Sequence, residues 1–374
     1  MTIRPFRIDI SDAALADLRA RLTQTRWPSP LPGDGWDRGA PVDWLREVAS
    51  YWATGYDWRA HEARLNEFPQ FHTEIDGVDL HFLHVPSAAP SATPLLLTHG
   101  WPNSFVEFAD LIKHLSDFHV VVPSLPGYGF SSAPGPGWDA TRVARAWAEL
   151  MRRLGYRDYV VQGGDYGAYV APEVARVGPV LGVYITAGLG IPTEADLPDL
   201  DSSERAAFTE MMSQDWMNGV DHHALLRAAP QTFAYGWNDS PVGALAWMAQ
   251  KFHEFGGGGR ALDEMLDGFL TNLSVYWFTE TFGTSSWSYY SSAGFAWPRG
   301  QKDAPTGVYS GVPGIRRLAS RESEIVHWPD DNPAGHHFIA MDQPEAYAAD
   351  LARFVSSCLD SARGGEARGG YPPR

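Results

Sequence analysis

At 374 residues, 44% hydrophobic and 20% charged, the chain suits one large α/β domain with insertions, or a main domain with appendages. A net charge of −16 without any clustered basic stretch argues against a nucleic-acid surface, and the single cysteine, Cys358, excludes internal disulfides and gives no sign of a thiolate metal site. No apolar run reaches the roughly eighteen residues of a membrane span, and residues 1–5 are not a signal sequence, so a soluble, cytoplasmic protein without a membrane anchor is expected. Fifteen tryptophans exceed what a core usually needs; they fit an aromatic-lined pocket or a large apolar interface, and a homodimer is compatible with them.

Leu15, Leu18 and Leu22 fall at helical spacing over 11–25, behind a cap at Ser11 or Asp12, and Pro28 disfavours helix in the residue before it. Further helices are expected over 43–52, with Trp44, Leu45, Val48 and Tyr51 on one face, and over 57–66. Residues 1–70 contain no acid–base constellation and read as a packing arm. A hairpin over 71–85, turning at Asp76-Gly77, opens a core spanning 71–190. Strands at 95–98, 119–122, 159–161 and 182–186 alternate with a helix over 141–154 and another over 168–177, the pattern of a parallel sheet binding ligands at its strand ends. Over 191–304 long amphipathic segments (203–217, 244–255, 262–276) replace that alternation, with a flexible break at 256–259, and read as a helical lid. The core resumes over 305–360 with strands at 306–310 and 324–328 and a helix over 344–359; residues 361–374 are expected to be disordered.

The stretch Tyr159-Val160-Val161-Gln162-Gly163-Gly164-Asp165-Tyr166-Gly167 reads as strand, sharp turn, helix, with Asp165 at the apex. This is the nucleophile elbow of α/β-hydrolases with aspartate in place of serine. A carboxylate gains little by attacking a carbonyl, but on an sp³ carbon it forms an ester that water can cleave. The alternative is a glycine-rich turn whose Asp merely caps a helix.

Several segments together resemble the microsomal-type epoxide hydrolases: Arg26-Trp27-Pro28, His99-Gly100-Trp101-Pro102, Pro126-Gly127-Tyr128-Gly129-Phe130-Ser131, Gly163-Gly164-Asp165-Tyr166-Gly167, residues 230–236, Asp239-Ser240-Pro241-Val242-Gly243, and His337-Phe338. The similarity covers essentially the whole chain, including the N-terminal arm. It implies an α/β-hydrolase fold with a mainly parallel sheet and a helical lid, needing neither cofactor nor metal. It implies Asp165 as nucleophile, His337 as general base with His336 its confusable neighbour, and the N–H groups of Trp101 and Tyr166 as oxyanion hole. Tyr289 falls on one of the two lid tyrosines that protonate the departing oxygen, with Tyr290 adjacent; His222, followed by His223, occupies the place of the other. His99, Pro102, Tyr235, Trp237, Trp287 and Tyr290 are expected around the substrate, and Trp216, Trp247 and Trp277 add aromatic surface to the lid.

One departure stands out. The family carries an Asp or Glu after the strand before the histidine loop, whereas residues 306–315 contain no carboxylate, and neither does the stretch 186–189. Glu322, Glu324, Asp330 and Asp331 lie near in sequence but read equally as surface charges. The resemblance implies hydrolysis of an epoxide on a bulky hydrophobic, natural-product-like substrate. The missing acid and missing tyrosine leave open non-hydrolytic opening by an internal carbon or oxygen nucleophile, as in polyketide (for example enediyne) biosynthesis, and a degenerate binder that turns nothing over.

Overall fold

The computed structural model describes residues 2–33, 35–186, 189–213, 221–256, 262–291, 299–309, 315–329 and 337–368. At its centre lies a sheet in the spatial order β1-β2-β3-β5-β4-β6-β7-β8-β9. β1 (Arg4–Phe6), β2 (Gln70–Ile75) and β3 (Val78–Val85) pair antiparallel, and β3 joins β5 the same way. The remaining ladders, linking β4 (Pro94–Thr98), β5 (His119–Pro123), β6 (Val160–Gly164), β7 (Gly182–Thr186), β8 (Thr306–Tyr309) and β9 (Ile325–His327), are parallel. Asp76 and Gly77 both adopt positive φ, 52° and 78°, as a tight β2–β3 hairpin requires. β5 and β7 are buried along their whole length, the signature of strands covered on both faces. β1 was not legible: three residues, Arg-Pro-Phe, gain strand character only by pairing with 70–72.

Register decides where chemistry can sit. Thr98 pairs with Gly163, Gly164 with Thr186, and Thr186 with Tyr309. The loops after β4, β6, β7 and β8 therefore leave the sheet side by side at its carboxyl edge.

The arm forms α1 (Asp12–Thr23), α2 (Val42–Thr54) and α3 (Trp58–Leu65). Leu15, Leu18 and Leu22 bury one face of α1, and the Ser11 hydroxyl accepts from the Ala14 N–H at 3.2 Å to cap it. α4 (Ala140–Arg153) and α5 (Tyr166–Val177) cover the sheet; α4 buries Val143, Trp147 and Leu150 at helical spacing.

Between β7 and β8 lie α6 (Ser202–Ser213), α7 (His222–Ala228), α8 (Pro230–Asp239), α9 (Pro241–Phe255), α10 (Leu266–Thr279) and α11 (Trp287–Ser291). Ser240 caps α9 by accepting from the Gly243 N–H at 3.0 Å, with Pro241 preorganised at the first position. The segment 262–276 is not one helix: Leu262–Met265 is a 3-10 turn, and α10 begins at Leu266. Trp216, the 214–217 end of the expected helix and residues 257–259 of the expected break lie outside the described residues. The arm holds this section directly. The Trp52 indole donates to Ser274 at 3.0 Å, Tyr56 and Thr271 share a hydrogen bond at 2.9 Å, and Trp36 stacks on His253 with centroids 4.2 Å apart.

α12 (Arg316–Glu322), α13 (Ile339–Asp342) and α14 (Pro344–Arg368) complete the fold. α14 continues past 359 to Arg368 in spite of Gly364-Gly365, and residues 369–374 of the tail expected to be disordered lie outside the described residues. Leu351, Phe354, Val355 and Cys358 anchor the helix on the core, and an established helix adds one hydrogen bond per further residue.

Candidate active site

Asp165 stands between the end of β6 and the first turn of α5 with φ 51° and ψ −122°, backbone that an L-residue adopts only when its surroundings impose it. The surroundings are glycines. A Cβ on Gly163 would lie 1.9 Å from the Gly167 carbonyl oxygen, and one on Gly167 would lie 2.2 Å from that of Thr98. The turn closes only because neither residue has one. Although Asp165 occupies the N-cap position of α5, its side chain does not cap the helix. Its Oδ1 accepts from the Trp101 backbone N–H at 2.8 Å. A Cβ on Gly100 would strike that oxygen at 2.2 Å, so the approach needs glycine there as well. The Tyr166 N–H, first in α5, lies outside the helix's own hydrogen-bond ladder.

The loop after β4 is pinned from α10. Asn272 Nδ2 donates to the Pro102 carbonyl at 2.9 Å, the Ser104 hydroxyl donates to Asn272 Oδ1 at 2.7 Å, and the Tyr276 hydroxyl donates to the Asn103 carbonyl at 2.7 Å. All are buried, so the loop carrying the Trp101 N–H is fixed before any ligand arrives.

Above Asp165 an aromatic wall gathers side chains from distant segments. His222, at the start of α7, lies flat on the Trp101 indole with centroids 5.2 Å apart and planes 11° apart. Tyr289 of α11 meets His222 and His223 edge-on at 5.7 and 5.1 Å and Trp101 at 5.9 Å. Burial, reinforced by the charge of Asp165, pushes the Tyr289 phenol well above its ordinary value, so at neutral pH it holds its proton. Burial lowers His223, against the opposing attraction of Asp165. Phe255, at the end of α9, links this wall to the late loop: its ring lies 6.4 Å from Trp101, 5.2 Å from His222 and 5.0 Å from His337. Asp165, Trp101, His222, Tyr289 and His337 thus share one neighbourhood.

Other expected pocket residues divide. Trp237 is buried and stacks on Trp247, which tilts against Trp101. Trp287 is buried, donates to the Pro126 carbonyl at 2.6 Å and abuts Tyr166 edge-on. Three expectations are corrected. Tyr235 is 71% exposed and Tyr290 53% exposed: Tyr235 lies two residues from the buried Trp237 on α8, nearly opposite it around the helix, and Tyr290 lies one residue past Tyr289 on α11. His99 is wholly buried beneath the site rather than in its wall: its Nε2 accepts from the Leu125 N–H at 3.1 Å, and burial lowers its pKa to about 4.

Glu322 and Glu324 are exposed, and Glu322 accepts from the Gly300 N–H at 3.2 Å, so neither orients His337. His336, Asp330, Asp331 and the acid-free stretch 310–314 lie outside the described residues. A buried carboxyl that carried no motif does stand near Asp165. Glu107, in the 3-10 turn Phe105–Phe108, is raised to about 8 by burial first, with the charge of Asp165 adding to it. The Asn103 amide turns toward Glu107 and lowers it somewhat without reaching hydrogen-bonding geometry.

A mainly parallel sheet, an acid at positive φ on a strand–turn–helix apex and a helical section between β7 and β8 define an α/β-hydrolase with a carboxylate in the nucleophile's place. Known proteins sharpen this. Residues 3–108 match the epoxide hydrolase N terminus family, and residues 93–268 match the alpha/beta hydrolase fold family. The chain is 39% identical to a provisionally named epoxide hydrolase of Stigmatella aurantiaca (strain DW4/3-1), over 93% of this chain and 84% of that one. It is 32% identical to epoxide hydrolase 1 of Oryctolagus cuniculus, over 95% and 89%. The solved structure of Aspergillus niger epoxide hydrolase superposes with a TM-score of 0.84 at 29% identity, covering 96% of this chain and 97% of that one. The chain belongs to the microsomal-type epoxide hydrolase family and is an epoxide hydrolase-type α/β-hydrolase. Among the described residues no helix is long and apolar enough to cross a membrane.

Proposed function

We propose that this chain hydrolyses an epoxide on a bulky apolar molecule through an ester on Asp165. The carboxylate attacks a ring carbon while the C–O bond breaks, and the Tyr289 phenol gives its proton to the departing oxygen, with a His222 or His223 ring as second donor. His337 then takes a proton from water as the water oxygen bonds to the ester carbonyl carbon. The N–H groups of Trp101 and Tyr166 hold the oxyanion. Collapse releases the diol, protonated by the His337 imidazolium, and the acid restored at Asp165 returns its proton to the Tyr289 phenolate. The carrying observation is that Asp165 leaves α5 uncapped and turns Oδ1 to the Trp101 N–H at 2.8 Å. The aromatic surface of Trp101, Trp247 and Trp237 supports a large, hydrophobic substrate, such as a natural-product intermediate.

One observation favours a second reading: residues 310–314 hold no acid for His337. Opening by an internal nucleophile, without water, needs no such partner. Rapid quench against styrene oxide and trans-stilbene oxide, with mass spectrometry of the Asp165 peptide and of the product, tests both. Hydrolysis gives a transient peptide adduct with the mass of the epoxide, followed by a diol. No adduct at any mixing time defeats the ester route. For a substrate that carries its own nucleophile, an isomer of unchanged mass supports the second reading.

A further inference from the structure

Lys251 is wholly buried in α9, and its ammonium pairs with the Glu254 carboxylate one turn on, itself buried. Burying ions is costly, and apolar side chains in place of such a pair are often as stable or more so, so stability alone does not account for it. The ammonium lies 5.4 Å from the centre of the Trp247 ring and 5.7 Å from that of Phe255. Those two rings belong to the aromatic wall. Trp247 tilts against Trp101 at 5.8 Å, Phe255 meets His222 edge-on at 5.2 Å, and the His223 ring is 4.3 Å from that of His222. The positive end of the pair therefore sits against the rings that back the histidines above Asp165.

We infer that Lys251 is a positioning residue for ring opening, whose buried charge keeps the His222–His223 pair neutral beside the Asp165 carboxylate. This rests on the ester route through Asp165. A histidine at this place carries a hazard that a phenol does not: as an imidazolium it becomes the counter-ion of the nucleophile and damps its attack. Tyr289 already supplies the proton, so a second acid adds less than that pairing removes. Burial is the first cause lowering His223; Arg227 and Lys251 add to it, against Asp165 and Asp221. Arg227 is exposed, where water and salt screen it, whereas Lys251 is not. Burial lowers Lys251 as well, while Glu254 and Asp221 hold its proton on. Among the described residues, the charged and titratable groups around the pair are Asp165, Asp221, Arg227, Lys251 with Glu254, and Tyr289, and His337 faces Phe255. Lys251 forms no bond and transfers no proton.

The test joins two measurements on the full chain. Histidine titration by NMR follows the His223 ring, its signal identified by its loss in His223→Gln. Single-turnover ester formation is followed by mass spectrometry of the Asp165 peptide, using whichever of styrene oxide and trans-stilbene oxide the parent opens faster. In Lys251→Met, and in Lys251→Met/Glu254→Gln, which leaves no buried charge unpaired, the His223 midpoint rises by at least about half a pH unit. Asp221→Asn, at the exposed cap of α7, lowers that midpoint without touching the interior. Ester formation in the lysine variants slows at least about threefold at about pH 6 and returns to the parental rate above about pH 8, a dependence that loosened packing does not produce. A midpoint that stays or falls in a folded lysine variant overturns the inference, as does an unmoved midpoint in Asp221→Asn. So does a raised midpoint with ester formation unchanged at every pH. Absence of ester in the parent instead overturns the ester route itself and leaves the titration result standing.

Discussion

The imidazole of His222 rests face-on against the indole of Trp101, 5.2 Å between centroids, above the loop whose N–H holds Asp165. The ring offers two separable contributions, a flat surface against Trp101 and ring nitrogens that phenylalanine lacks, with Tyr289 near-perpendicular to it at 5.7 Å. His222→Phe keeps the first and removes the second. We expect ester formation to slow by about tenfold, the worth of one lost hydrogen bond, with the folded state as stable as the parent's. Stopped-flow ester formation and a thermal melt on one sample separate the two contributions.

On the proposed ester route Tyr289 is the principal proton donor. Its phenol stays protonated well beyond neutral pH, and Asp165 contributes to that shift. Tyr289→Phe should slow ester formation by about 100-fold or more, with hydrolysis of any ester formed much less affected. Equal slowing of both steps would assign Tyr289 to the wall alone.

Gly167 is required by shape. A side chain there would stand 2.2 Å from the Thr98 carbonyl, backbone that has nowhere to move within a buried parallel sheet. Gly167→Ala should destabilise by about 3 kcal/mol or more, read as a lower denaturation midpoint, with activity lost together with the fold. Gly135 and Gly178, where an added Cβ meets nothing within 4 Å, serve as controls that should tolerate alanine.

Glu107 makes stability depend on pH in a direction opposite to most carboxylates. Its folded pKa of about 8 exceeds the usual 4.5, so between those values the folded chain holds a proton that the unfolded chain has released. Stability therefore falls as pH rises from about 5 to 8 and levels off above that range. The effect is on the order of several kcal/mol at about 1.4 kcal/mol per pH unit. Glu107→Gln should gain stability over the parent steadily across that window in chemical denaturation series. A gain that does not change with pH would contradict the buried-acid account.

Asn272 ties α10 to the loop after β4 through Pro102 and Ser104. Asn272→Ala leaves the Pro102 carbonyl buried without its donor. It should cost about 1–3 kcal/mol and lower kcat more than it raises KM, because the fixed Trp101 N–H matters most when charge develops. Steady-state kinetics beside a urea titration checks both parts.

The elbow was legible because its constraint is local. Gly163 and Gly167 are both needed within five residues of one another, and the Gly163 need is set by the Gly167 carbonyl of the same turn. The parallel strands were legible for a similar reason, as short apolar runs ended by glycine and proline. Tyr235 and Tyr290 were misplaced because an aromatic cluster in sequence carries no helical phase; one residue turns a side chain about 100°. His99 was misplaced because the partner that buries it, the Leu125 N–H, is set by strand pairing rather than by neighbours in the chain. Glu107 had no signal at all. A glutamate in a Phe-Val-Glu-Phe turn reads as an ordinary charge until the fold brings it beside Asp165.

The direct test of the central claim is one turnover with enzyme in excess over epoxide, in water enriched in heavy oxygen, followed by mass spectrometry of the peptide containing Asp165. Because water attacks the ester carbonyl, the label should enter the Asp165 carboxyl group while the first diol carries the enzyme's own oxygen. Label in the diol with none in Asp165 would show that water opens the epoxide directly, and would contradict Asp165 as nucleophile.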